Sequence, residues 1–319
     1  MTHTPPQQRT YSVIVPLYNK EGEVEQAIRS ALAQTLQPLE VVVVDDGSTD
    51  RSAAIVEAIG SPLVRLIRQP NGGVCAARNR AIAEAQGTHL ALLDADDSWR
   101  ADHLAEIDRL VAEWPDCGIY STAFEVVSPT GIVPAACPTE RGVVGNFWRE
   151  SMSRFVVIPS TAVIPRSVID TLGGFPKGMK MGEDQWLWIK IASHYPICYS
   201  PYLGARYSMV AANRSGAIYR PEQTAHSLDE LLPLVQSDAE QEYWRREFIA
   251  KCAIGKAITL TAKGDTAFGR NVARTYSYTR HYRWGLCRLR LLLLLPRCLR
   301  PTAHRAYQWL SWHLAHKGL

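Results

Sequence analysis

The stretch Leu39 to Val44 ends in four consecutive valines and stops at two adjacent aspartates, Asp45 and Asp46. A run this apolar suits a strand covered on both faces, and such strands belong to sheets that are mostly parallel and flanked by helices. Its neighbours agree. Tyr11 to Val15 reads as a strand before it, and Leu63 to Arg68 and Leu90 to Leu93 read as strands after it. Val24, Ala27, Ile28, Ala31 and Leu32 recur at helical spacing, which predicts a helix over Glu21 to Gln34. Further helices are expected over Arg51 to Ile59, Ala76 to Gln86 and Ala101 to Glu113. The chain thus opens as an α/β layer around a mostly parallel sheet. Further on, strand-like stretches (Gly118 to Val127, Phe155 to Ile164) precede an expected helix from Asp184 to Ser193 and a helical region, Gln223 to Lys263. A boundary near Tyr219 to Pro221 divides the chain into a domain over 1–220, with halves 11–115 and 116–220, and a helical extension over 221–319.

In open α/β sheets ligands bind beyond the carboxyl ends of the strands. Three strands here end in polar clusters: Pro16-Leu17-Tyr18-Asn19, Asp45-Asp46-Gly47-Ser48-Thr49-Asp50 and Asp94-Ala95-Asp96-Asp97. Taken singly, each is ordinary turn and helix-cap chemistry. Taken together, they gather carboxylates along one edge, where like charges repel unless a cation or ligand compensates them. Mg²⁺ and Mn²⁺ do so naturally, because they favour carboxylate oxygens together with phosphate oxygens.

Composition narrows the class. With 319 residues, 46% of them hydrophobic and 21% charged, the chain can bury a large core. Its seven cysteines are scattered and form no C-x-x-C pair, which argues against a disulfide framework or zinc site and for reduced thiols in a cytoplasmic protein. Met1 to Thr10 gives no reason to expect export, and the longest apolar run, Leu291 to Leu295, falls far short of the ~20 residues of a spanning helix. Charge is uneven. Arg270 to Leu319 holds nine arginines, one lysine and no acid, so that a net charge of +4 leaves 1–269 net acidic. Tyr276, Tyr278, Tyr282, Trp284, Tyr307, Trp309 and Trp312 interleave with these arginines. Arginine with aromatic rings suits an anionic membrane surface and peripheral attachment to the inner leaflet. A helical hairpin packed on the first domain is the plainer alternative. Nucleic acid is not expected as a partner, because the rest of the chain is acidic.

The ordered set S-V-I-V-P-L-Y-N-K, E-V-V-V-V-D-D-G-S-T-D, N-G-G-V-C-A-A-R-N-R-A and L-L-D-A-D-D-S-W resembles family 2 glycosyltransferases, over roughly Tyr11 to Tyr207. The resemblance implies a GT-A fold and an inverting transfer from a nucleoside-diphosphate sugar, most simply UDP-linked, to a saccharide or lipid-linked acceptor. It places Pro16, Tyr18, Asp46 and Arg78 at the nucleotide, with Asp46 pairing with the base. Asp94 and Asp96 stand where the family's Asp-x-Asp motif holds ribose and metal (Mn²⁺ or Mg²⁺). Asp97 is adjacent, and the direct ligand stays open between Asp96 and Asp97. A second part, G-G-F at Gly173 to Phe175 and G-E-D-Q-W-L-W at Gly182 to Trp188, matches the acidic pair before a helix that carries the base. Asp184 is then the catalytic base, with Glu183 and Trp186 toward the acceptor. The same acidic pair would also favour a helix N-terminus without any catalytic role.

One departure stands out. Many relatives carry a histidine after a Tyr-Arg pair downstream of the base, whereas this chain reads Arg206-Tyr207-Ser208-Met209-Val210-Ala211-Ala212-Asn213, leaving water or Asn213 for that coordination position, or a metal held more weakly. The rival readings are a sugar-nucleotide nucleotidyltransferase, for which Pro16 to Lys20 supplies no glycine-rich phosphate loop, a processive synthase, whose Q-x-x-R-W motif is missing at Gln185 to Trp188, and a non-catalytic binding module.

Overall fold

The computed structural model describes residues 8–211 and 226–306. It divides into two compact units, Met1–Ser227 and Leu228–Leu319. Asn213, Tyr307, Trp309 and Trp312 lie outside the described residues.

Unit 1 begins with β1 (Tyr11–Leu17), α1 (Val24–Leu32), β2 (Glu40–Asp45), α2 (Ser52–Ala58), β3 (Val64–Arg68), α3 (Val74–Glu84) and β4 (His89–Leu92). It continues through β5 (Ser98–Trp99), α4 (His103–Glu113), β6 (Ile119–Ser128), β7 (Gly131–Pro134), β8 (Gly142–Val143) and α5 (Phe147–Glu150). The last elements are β9 (Val163–Pro165), α6 (Arg166–Leu172), α7 (Glu183–Ala192) and β10 (Ile197–Ser208).

One sheet runs β3-β2-β1-β4-β9-β6-β10-β5, with β7 beside β6 and β8 beside β10. The pairings β3-β2, β2-β1 and β1-β4 are parallel, as the valine run predicts. Beyond β4 the sheet is mixed rather than mostly parallel: β9 runs antiparallel to β4 and β6, and β10 runs parallel to β6 but antiparallel to β5. The stretch Phe155 to Ile164 is not one strand. Pro159, which has no N–H to donate, opens a 3₁₀ turn, Pro159–Thr161, and only Val163–Pro165 joins the sheet.

Alternation along the strands sorts the core. Val13, Val15, Val41, Val43 and Ala91 share one cluster with Val24, Ala27, Ile28 and Ala31 of α1 and Leu104, Ile107 and Leu110 of α4. The intervening Ile14, Val42 and Leu92 turn to the opposite face, and α3 packs on β1 and β2. That two-faced cover is why the strands read as continuous apolar runs, and it leaves their carboxyl ends as the open edge of the layer.

Unit 2 is a 3₁₀ turn, Leu228–Leu231, followed by α8 (Ala239–Ala262), α9 (Thr266–Thr275) and α10 (Arg283–Leu294), each helix packing on the other two. Asp238 and Asp265 cap α8 and α9 by accepting from the Gln241 and Phe268 amides. Its interior charges are fully matched. Arg245 donates to the Leu231 and Leu232 carbonyls and pairs with Glu242, while buried Glu247 accepts from the Thr279 hydroxyl and the Arg280 and His281 amides. Among the described residues, no helix is long and apolar enough to cross a membrane.

Candidate active site

The loop after β1 is held by hydroxyls and carboxylates from the loop after β2. Asn19 takes a left-handed conformation (φ 51°), with its amide on Ser48 Oγ and its Oδ1 accepting from the Thr49 amide. Asparagine tolerates that region better than most residues. The Lys20 amide bonds Ser52 Oγ, so that its side chain reaches across to Asp96, with Nζ 2.8 Å from Oδ2. Pro16 sits at the end of β1 opposite Val44, and Tyr18 follows, partly buried.

Asp46 is buried and accepts three hydrogen bonds from the loop after β3: from the Gly72 amide (2.8 Å), the Gly73 amide (2.7 Å) and Gln69 Nε2 (2.7 Å). This ties the tip of β2 to the start of α3. Gly73 has φ 88°, a conformation that favours glycine at the head of that helix.

Arg78 of α3 is the hub. Its side chain is 3% exposed, with Nη2 2.7 Å from Asp94 Oδ1 and Nη1 3.0 Å from Glu183 Oε1, and its guanidinium lies 5.0 Å from the Phe175 ring centre. One cation therefore joins the end of β4 to the start of α7. The two carboxylates overcome the burial that would otherwise favour loss of its proton and raise its pKa further above the ordinary arginine value.

The three aspartates after β4 have distinct environments. Asp94 faces Arg78 and Asp96 faces Lys20. Asp97 is buried, with Oδ2 accepting from Ser160 Oγ (2.5 Å) and Oδ1 from the Ser208 amide (2.8 Å). Burial, then the charges of Asp94 and Asp96, push its carboxyl well above the usual range. Both of its oxygens are thus taken up in fastening β4, the 3₁₀ turn and β10 together.

At α7, Gly182 in the left-handed region (φ 78°) lets the chain turn into the helix. Asp184 is partly buried, with Oδ1 on the Gln185 amide, and burial followed by the neighbouring Glu183 charge raises it to about 7. Trp186 is only 5% exposed. Lys190 Nζ lies 4.9 Å from its ring centre and the His226 ring 5.5 Å away at a steep angle, which commits the indole to packing.

The structure thus brings Arg78, Asp94, Glu183 and Asp184 into one charged network, with Asp96 joined to Lys20 and Asp46 holding the glycine loop. Phe175 closes the G-G-F motif, but Lys20, Gln69, Ser160 and Ser208 were given no role from the sequence. Lys20 carried a signal as the last residue of the Y-N-K stretch, whereas the two serines carried none. Among the described residues, no group of three or more His, Cys, Asp or Glu is placed to hold a metal ion.

A family model described as glycosyl transferase family 2 matches residues 12–170. The uncharacterized glycosyltransferase EpsJ of Bacillus subtilis is 46% identical over 88 residues, 27% of this chain and 26% of that protein. The putative teichuronic acid biosynthesis glycosyltransferase TuaG of the same organism is 33% identical over 123 residues, 38% of this chain and 48% of that protein. The matches therefore span less than half of these curated relatives. In three dimensions, S. aureus TarS 1–349 in complex with UDP-GlcNAc superposes with a TM-score of 0.68 at 21% identity, over 89% of this chain and 90% of that one. At that identity the likeness is one of fold, the GT-A fold. The strand-end clusters, their arrangement on this sheet and the matching family model together identify residues 12–170 as a glycosyltransferase family 2 region.

Proposed function

We propose that this chain transfers a sugar, with inversion, from a UDP-linked donor to a hydroxyl of a saccharide or lipid-linked acceptor in polysaccharide assembly. One observation carries the reading: Arg78 bridges Asp94 and Glu183, which sets the donor-side carboxylates beside the candidate base Asp184. The likeness to TuaG, a putative teichuronic acid biosynthesis glycosyltransferase, supports a polysaccharide product, and the UDP-GlcNAc bound to TarS supports a UDP donor.

Asp184 suits the base. A carboxyl raised to about 7 is substantially ionised near neutral pH, yet basic enough to take the acceptor proton as the hydroxyl attacks. Attack from the face opposite the departing diphosphate is a single displacement, and a single displacement inverts the anomeric centre. Arg78 holds the two acidic clusters in register, and Lys20 places a second cation among the donor-side carboxylates.

The donor set fits Mg²⁺ or Mn²⁺. Such ions take one or two carboxylates and fill the remaining positions with water and substrate phosphate oxygens, so a dedicated cage of three protein ligands is not required. Asp96 would hold the ion, with Asp94 beside it, while Asp97 has both oxygens engaged elsewhere. When bound, the ion would offset the charge that develops on the leaving diphosphate. The stretch from Arg270 onward, acid-free and arginine-rich, would attach the enzyme peripherally to an anionic membrane, near a lipid-linked acceptor.

The test is a screen of UDP-sugars for donor hydrolysis and transfer, with and without Mn²⁺, followed by assignment of the product's anomeric configuration by NMR. Retention at the anomeric carbon, or no turnover of any nucleotide sugar, would overturn the reading.

A further inference from the structure

Helix α10 is apolar on two opposite faces. Leu286, Leu289 and Leu292 are buried within unit 2, at 4%, 0% and 4% exposure. Trp284, Leu291 and Leu294 point outward at 76%, 63% and 81%, and Cys287 between them is also exposed. At 3.6 residues per turn these four outward side chains fall within about 80° of arc. A second apolar stripe on a helix that has already covered its core side has no partner within the unit, and contiguous exposed apolar surface marks an interaction site.

Arginines border that stripe. The Arg283 guanidinium lies 5.9 Å from the Trp284 ring centre. Arg290 lines an open cavity of about 540 Å³ together with Arg270 and Arg274 of α9, Ala273, Ser277 and Leu293. No acidic residue lines the cavity, the sequence from Arg270 onward holds none, and the three arginines form no ion pair among the described residues. Three guanidiniums around one open cavity repel one another and are stabilised by an anion shared between them.

We propose that the outward face of α10 and the Arg270–Arg274–Arg290 cavity form one membrane-docking surface, in which the stripe enters the interface of an anionic leaflet and the cavity holds a lipid phosphate headgroup. This deepens the peripheral attachment proposed above and rests on it. Charge and apolarity select the occupant together. A soluble anion has no use for Trp284, Leu291 and Leu294, and a second copy docked by a two-fold axis would set arginines against arginines. An anionic lipid surface meets both needs, with aromatic and aliphatic side chains at headgroup depth and guanidiniums at the phosphates.

The experiment is flotation of the full-length protein with vesicles of phosphatidylcholine alone or with a third phosphatidylglycerol, at low and high salt. The double variants are Arg274→Gln/Arg290→Gln, Leu291→Ser/Leu294→Ser and, as a control with the same charge loss, Arg29→Gln/Arg80→Gln on exposed helix surfaces of unit 1. Each cavity arginine should contribute about five-fold to binding of the anionic vesicles, so that the first pair loses about twenty-five-fold at low salt and less at high salt. The leucine pair should lose binding at both salts, and the control should bind as the unaltered protein does. UDP-induced thermal stabilisation, equal in all four proteins, establishes that each is folded. If the unaltered protein floats and both cavity and stripe variants float equally well, attachment stands but this surface is wrong. If the unaltered protein does not float even on anionic vesicles, or the control falls as far as the cavity pair, attachment through this surface is overturned.

Discussion

The donor-side edge of unit 1 and the outer face of unit 2 treat charge in opposite ways. At the edge of the sheet, Arg78 faces Asp94 and Glu183, Lys20 faces Asp96, and backbone amides and side chains surround Asp46 and Asp97. On α9 and α10, Arg270, Arg274 and Arg290 pair with no carboxylate among the described residues, beside exposed leucines. Charge paired within the chain builds a fixed shape for a small polar ligand. Charge left over is directed at something larger outside the chain. The first should be sensitive to single atoms and the second to totals.

The largest effect expected at the fixed edge is from Asp96→Asn, which should lower transfer by about 10³-fold while leaving unfolding by urea unchanged, because under the proposed function this carboxylate would hold the ion that offsets charge on the leaving diphosphate. Asp184→Asn should lower kcat by about 10²-fold with donor affinity kept, as measured by steady-state kinetics and UDP binding. The pH profile sharpens this. If Asp184 is the base it works only when deprotonated, so kcat of the unaltered enzyme should rise with pH through about 7, and the Asn variant should lose that limb.

Next in size is Arg78→Met, which leaves Asp94 and Glu183 without their shared cation. It should cost about 3–5 kcal/mol in denaturant unfolding, the cost of breaking a buried pair from one side. A loss under 1 kcal/mol would mean that the network is not held by its internal pairs, and the contrast with unit 2 would fail. Asp97→Asn should cost only about 1 kcal/mol and little activity, because an amide still accepts from Ser208 and still meets Ser160. A loss of turnover as deep as that of Asp96→Asn would return Asp97 to the metal. Smallest of all, Arg29→Gln breaks an exposed pair with Glu25 one helical turn away and should change stability by about 0.3 kcal/mol.

Much of the donor half could be read from the chain because its determinants are local. Valine runs mark β2, helical spacing marks α1, and Asp-rich strand ends mark the edge where ligands bind. The mixed half hid its strands for a local reason too. Pro201 and Gly204 interrupt β10, and the sheet absorbs them as register shifts between Ser200, Leu203 and Ala205. Gly204 is needed there, since a side chain would strike Thr122 and His103. The bonds within the site were not legible, because they join residues far apart in sequence: Arg78 and Glu183 are 105 positions apart, and Asp97 and Ser208 are 111. In unit 2 the sequence announced arginine and aromatics. The five leucines from Leu291 to Leu295 carry no period, so which of them turn outward became clear only once α10 had been set against α8 and α9.

The fastening of Asp97 by the Ser208 amide has a consequence for synthesis on the ribosome. The acidic loop after β4 leaves the exit tunnel long before β10, so its final shape waits for a partner more than a hundred residues downstream. Until β10 has slotted in beside β6, a growing chain has Asp94, Asp96 and Asp97 crowded together with one clamp missing. Such a fragment should bind nucleotide sugar poorly and hydrolyse none. Competence then arrives in one late step, when the sheet closes, and a polypeptide stalled before residue 208 would be spared idle consumption of activated sugar.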